Sequence, residues 1–175
     1  MTDTVIYCVG KEHCKKLGET NNSWRGAMYL WNDLAKRYFN LPNFPHFDFK
    51  MMNRIWNTQN EHQIPKHEHI VLLSTMDKVL ISISDAQHLI DAFEKYGEEH
   101  PKSSFSEQAK IIEKNLNNLP FDSYIAFNQT SVNSFYFDVE YDEDDNPIYQ
   151  SLEEGWNLFE QFDEFYQKDK EKIKE

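Results

Sequence analysis

The sequence predicts an α+β domain: a mostly antiparallel sheet of about four to five strands, in two hairpins, packed with about four helices. Two observations lead there. Apolar residues recur at spacings of three and four in some stretches and at two in others. The two kinds of stretch are mixed along the chain rather than alternating strictly strand, helix, strand. At 175 residues, with 39% hydrophobic and 15% aromatic side chains, one domain spanning 1–175 has enough apolar surface for a core without a disulfide or metal.

Val5, Ile6, Tyr7 and Cys8 form a compact apolar run and predict a short strand over 4–8. A helix is expected from an Asn22 or Ser23 cap to about Phe39, because Trp24, Met28, Trp31, Ala35 and Tyr38 fall on one side. Leu41-Pro42 stops it. Residues 40–66 carry Pro42, Pro45 and Pro65 and read as a long connection, interrupted by a strand at 47–49 or a helix through Met52, Ile55 and Trp56. Ile70–Ser74 and Val79–Ile83 read as a hairpin. Ser84 then caps a helix with an inner face of Ala86, Leu89, Ile90 and Phe93, stopped at Gly97. Another helix covers about 105–118. Strands over about 123–130 and 134–141 follow, the second alternating Phe135, Phe137, Val139 and Tyr141 with Tyr136, Asp138, Glu140 and Asp142. Ser151 and Glu154 form a capping box opening a final helix with an inner side of Leu152, Trp156, Phe159, Phe162 and Tyr166. Lys168–Glu175 is a charged, fraying end.

Composition excludes several functions. Apolar runs such as Ile70–Leu73 and Val79–Ile81 fall far short of the roughly 20 residues that cross a bilayer. Met1–Thr4 has no secretory character, and two cysteines, Cys8 and Cys14, make no disulfide framework. A reducing cytoplasm is therefore the expected setting. The 5 glycines are scattered, so neither a P-loop nor a dinucleotide fingerprint can be drawn.

Charge is the strongest signal. The net charge is −12, with 30 acidic against 18 basic residues. Between Lys114 and Lys168 there is no lysine or arginine, yet 12 acids. Like charges held together repel, so this module at about 122–167 calls either for simple solvation or for a partner that brings cations. Tyr136, Asp138, Glu140, Asp142, Glu143, Asp144, Asp145, Glu153, Glu160 and Glu164 are the candidate partner-binding residues. Tyr136 would be an aromatic anchor for arginine.

Other constellations are weaker. Asp142, Asp144, Asn146 and Glu153 have the spacing of calcium-loop ligands, but Pro147 occupies the position that needs glycine, so an ordinary turn accounts for them. His62, His67 and His69 gather with Glu61 and Glu68 in a minimal metal set, and strand geometry would point His67 and His69 the same way. His13 beside Cys14 is a poor nucleophile–base pair, since sequence neighbours rarely face each other.

The expected function is thus a non-enzymatic acidic binding or inhibitor protein, needing no cofactor. It docks on a basic, nucleic-acid-binding surface of a partner such as a nuclease or nucleoprotein complex, as a nucleic-acid mimic of the anti-defence or immunity type. The alternatives are a small metal-dependent hydrolase using His62, His67 and His69, and a structural or assembly subunit. Direct nucleic-acid binding is disfavoured by net charge, although Lys11, Lys15, Lys16, Arg25 and other cations within 11–54 offer a basic patch. They also offer intramolecular or homodimeric counterions.

Overall fold

Strand β1 (Asp3–Gly10) turns at Lys11–Glu12 into β2 (His13–Asn21), and the pair runs antiparallel with Thr4 opposite Thr20 and Gly10 opposite His13. The computed structural model describes residues 3–21, 24–42, 48–129, 139–144 and 147–163, with 139–140 and 147–150 described by backbone alone. Strand β2 has no counterpart in the sequence reading. It lies at the sheet edge, where Lys15 and Lys16 are exposed and no alternation of large apolar residues is required.

Helix α1 (Ala27–Phe39) buries Ala27, Leu30, Trp31, Leu34 and Ala35, as its periodicity requires. It starts later than expected, with Gly26 at the N-cap. Trp24 therefore stands outside the apolar stripe, 55% exposed. The helix also ends one residue before Leu41-Pro42. Asn40 adopts a left-handed conformation, φ 51°, and the Leu41 N–H turns back to the Ala35 carbonyl at 3.1 Å.

The proline-flanked connection contains α2 (Phe49–Trp56) and α3 (Thr58–Glu61), so the helical option holds there. The Asp48 carboxylate caps α2 by accepting the Met51 N–H at 2.7 Å. Residues 70–73, expected as part of a strand, instead form the second half of α4 (Lys66–Leu73), with Ser74 as its C-cap and all residues from His67 to Leu73 buried. A short, β-branched apolar run looks the same in a buried helix as in a buried strand, and only its surroundings separate the two.

Strand β3 (Val79–Ser82) leads through one 3-10 turn into α5 (Ala86–Glu99), followed by α6 (Phe105–Leu116) and β4 (Tyr124–Gln129). Strand β4 lies between β1 and β3 and is antiparallel to both, with Ile6 opposite Phe127 and Ile81 opposite Ile125. Ile6, Ile81, Ile125 and Phe127 join the helices in the main core. Val9, Leu80 and Ala126 form a smaller cluster with Tyr7, Cys14, Tyr124 and Leu152.

Farther along, β5 (Val139–Tyr141) and β6 (Pro147–Gln150) form an antiparallel pair. The rest of the strand expected over 134–141 lies outside the described residues. The capping-box helix from Ser151 does not form. Instead β7 (Trp156–Asn157) joins β3 in parallel, completing the five-stranded order β2-β1-β4-β3-β7. Helical backbone (α7) occupies 158–163, and the Asn157 side chain caps it by accepting the Phe159 N–H at 3.1 Å. Gly155 makes this crossing possible, since a Cβ there would stand 2.4 Å from Leu80 Cδ1. The whole is an α+β fold with a mostly antiparallel sheet. No helix among the described residues is long and apolar enough to cross a membrane.

Gly97 lies inside α5 rather than at its stop, which comes at His100. Its role is close approach to α6: a Cβ would meet Ser106 Oγ at 2.0 Å and the Ser106 backbone nitrogen at 2.8 Å. Gly97→Ala should destabilise the fold by about 1–3 kcal/mol in urea denaturation, despite alanine's better helix propensity. Adding Ser106→Ala should recover only part of the loss, because the backbone contact remains.

Candidate functional site

The acidic candidates divide by position. Tyr136, Asp138, Asp145 and Glu164 lie outside the described residues. Glu140 sits in β5 with its backbone opposite Tyr149, its side chain undescribed. Asp142, Glu143 and Asp144 are exposed beyond the end of β5, and the Asp142 carboxylate accepts the Asp144 N–H at 2.9 Å in a local turn. Glu153 and Glu160 are exposed too, but not as one helical row, because β7 intervenes. They are brought together differently. Both line a cleft of about 980 Å³ beside the sheet, with Asp122, Glu12, Lys11 and His13. Glu154 instead forms an ion pair with Lys78. Among the described residues, no lysine or arginine pairs with Asp122, Glu143, Asp144, Glu153 or Glu160.

The histidines do not gather as expected. On a helix, residues two apart point about 200° apart, so α4 sends His67 and His69 in different directions. The His69 ring packs near Phe162 at 5.3 Å, and burial alone lowers its pKa to about 4, keeping the imidazole neutral. His62 lies against Tyr38 and Phe39, with ring centres at 5.2 and 5.0 Å. His67 turns to α5, where Nε2 is 2.6 Å from Glu99 Oε2.

The thiols are also arranged differently from their sequence order. His13 reaches toward Cys8, not Cys14, with Nε2 3.9 Å from Sγ. The Cys8 thiol donates to Ser123 Oγ at 3.2 Å, and Ser123 donates to the Pro120 carbonyl at 2.5 Å. Burial raises the Cys8 pKa, and burial followed by the nearby Cys8 pushes Cys14 up to about 11. Both remain protonated thiols in packing positions, which is poor ground for nucleophilic catalysis.

A charged cluster between helices escaped the sequence reading. Arg37 donates to Asp33 through Nε at 2.8 Å and Nη2 at 2.5 Å, in the two-pronged geometry that suits a carboxylate. Its Nη1 lies 3.0 Å from Glu68 Oε1. Tyr96 OH donates to Asp33 at 2.9 Å, and Tyr38 OH reaches Glu68 at 3.4 Å. Burial alone would weaken the guanidinium, but the hydrogen bonds to Asp33 and Glu68 outweigh it and raise its pKa. Burial and then the Asp33 charge raise Tyr96, holding it as a neutral donor. Glu68, only 3% exposed, sits in the first turn of α4, where the helix dipole favours an anion. The sequence did place Glu68 among the histidines, but Asp33 and Arg37 carry no signature beyond an i,i+4 pair.

Arg37→Met should therefore destabilise the protein by about 2–4 kcal/mol, less than for a fully buried pair because the side chain keeps some contact with water. Glu68→Gln added to that variant should restore part of the loss in urea denaturation, since one stranded carboxylate is removed. Comparison with known protein families, curated proteins and solved structures finds no match to this chain.

Proposed function

We propose that the protein is a non-enzymatic binding protein of the cytoplasm, whose acidic side docks on a basic surface of a partner protein and keeps nucleic acid from it. The observation that carries this reading is the set of exposed carboxylates without cationic partners: Glu143, Asp144, Glu153, Glu160 and Asp122 form no ion pair with a described lysine or arginine. Some of the described cations are engaged with other acids, as Arg25 is with Glu107 and Arg54 with Glu61. Carboxylates left to solvent retain their charge for a partner, steer its approach and respond to salt. A surface bearing lysines and arginines for phosphates fits them, because such a surface is itself built to release counterions on meeting negative charge. Both cysteines are free thiols, in keeping with a reducing compartment.

Capture from a cell lysate on the immobilised chain tests this directly. The bound partner should be released by high salt and by added duplex DNA. The variant Glu143→Gln, Asp144→Asn, Glu153→Gln, Glu160→Gln should unfold at a temperature close to the parent's yet bind the partner roughly 10- to 100-fold more weakly. Unchanged capture by that variant, insensitive to salt and DNA, would overturn the reading.

A further inference from the structure

We propose that His67, Glu68 and Glu99 form a binding site for a divalent transition-metal ion of the Zn²⁺ or Mn²⁺ class. The three side chains each offer one ligand atom, and these atoms lie within 4.8 Å of one another. Two come from the first turn of α4 and one from the last residue of α5, so the donors are held by packed helices rather than by a loop.

Charge balance points the same way. Asp33, Glu68 and Glu99 bring three carboxylates to this junction of α1, α4 and α5, while Arg37 is the only lysine or arginine that pairs with any of them among the described residues. Arg37 spans Asp33 and Glu68 and does not reach Glu99, whose described partner is the His67 imidazole. A dication would bring positive charge to Glu99, which has no lysine or arginine partner among the described residues. Glu68 is only 3% exposed, and a carboxylate so placed gains most from a nearby cation because little water screens it. One imidazole nitrogen with two carboxylate oxygens is a donor set for Zn²⁺ or Mn²⁺, whereas Mg²⁺ and Ca²⁺ prefer oxygen alone.

Access and room to adjust are also present. Of the three donors His67 alone lines a cleft of about 440 Å³ between α4, α5 and α7, and the partly exposed Glu99 opens the site to solvent. Nε2 of His67 and Oε2 of Glu99 now touch at 2.6 Å. Donors about 2.0–2.2 Å from an ion stand roughly 3–3.5 Å apart, a change that the 43% exposed Glu99 side chain can make by rotation.

The test is calorimetric titration of chelator-treated protein with ZnCl₂, MnCl₂, MgCl₂ and CaCl₂, together with thermal unfolding. One Zn²⁺ or Mn²⁺ should bind per chain and raise the unfolding temperature. Glu99→Gln and His67→Gln should each weaken binding by at least about 100-fold, while His88→Ala, in the same cleft but outside the donor set, should not. Glu99→Gln is mild enough to stay folded, which its metal-free unfolding temperature will verify. Absence of saturable one-to-one binding, affinity unaltered in both donor variants, or preference for MgCl₂ or CaCl₂ would each overturn the assignment.

Discussion

Arg37 is shared between carboxylates on two helices, and much of the helical layer is arranged around that sharing. Its guanidinium grips Asp33 one turn back on α1 and reaches across to Glu68 on α4, while Tyr96 from α5 closes on Asp33 from the other side. Three helices are thereby joined at one point by two ion pairs and a tyrosine hydroxyl. Such a junction is stable only while each member is present, because the desolvation of a carboxylate is not recovered if its cation leaves. The aromatic packing around it, with Tyr96 stacked on His100 at 4.3 Å and set edge-on to Phe105 at 5.3 Å, excludes the water that would otherwise loosen the pairs.

The parts of the fold that were legible in the sequence are those where periodicity and burial coincide. Leu30, Trp31, Leu34 and Ala35 announce α1, and Leu89, Ile90 and Phe93 announce α5, because amphipathic helices must turn one stripe inward. Strand β4 falls within the strand expected over about 123–130, although its burial does not alternate. Helix α4 was not, since an element buried all round has no polar face to set its period. Strand β2 had the opposite problem: an edge strand with exposed lysines is patterned by backbone pairing alone. Strand β7 is two residues long, and nothing local distinguishes it from the start of a helix.

Site residues were legible to the same degree. The exposure of Asp142, Glu143, Asp144, Glu153 and Glu160 followed from charge alone. What joins Glu153 to Glu160 and Asp122 is a cleft rather than a helical row, and that depends on β7 finding β3. Glu99 lies 30 residues or more from each of the sequence-predicted histidines, so its meeting with His67 is a product of helix packing that local spacing cannot reveal. The two charged regions are consequently built on different terms. One is on the surface and open to solvent; the other is partly buried and held by specific neighbours.

The parallel contact of β3 with β7 has a bearing on how the chain reaches its folded form. Trp156 gives its backbone N–H to Lys78 and its indole N–H to Asp77, so the far edge of the sheet is completed by a segment made long after β3. Until that segment emerges from the ribosome, Val79 and Leu80 present an apolar border with unsatisfied amide groups, a template for pairing with another nascent chain. Translation pausing or proteolytic clipping ahead of Trp156 would thus expose a nucleus for aggregation, whereas clipping well beyond Asn157 would leave that border covered.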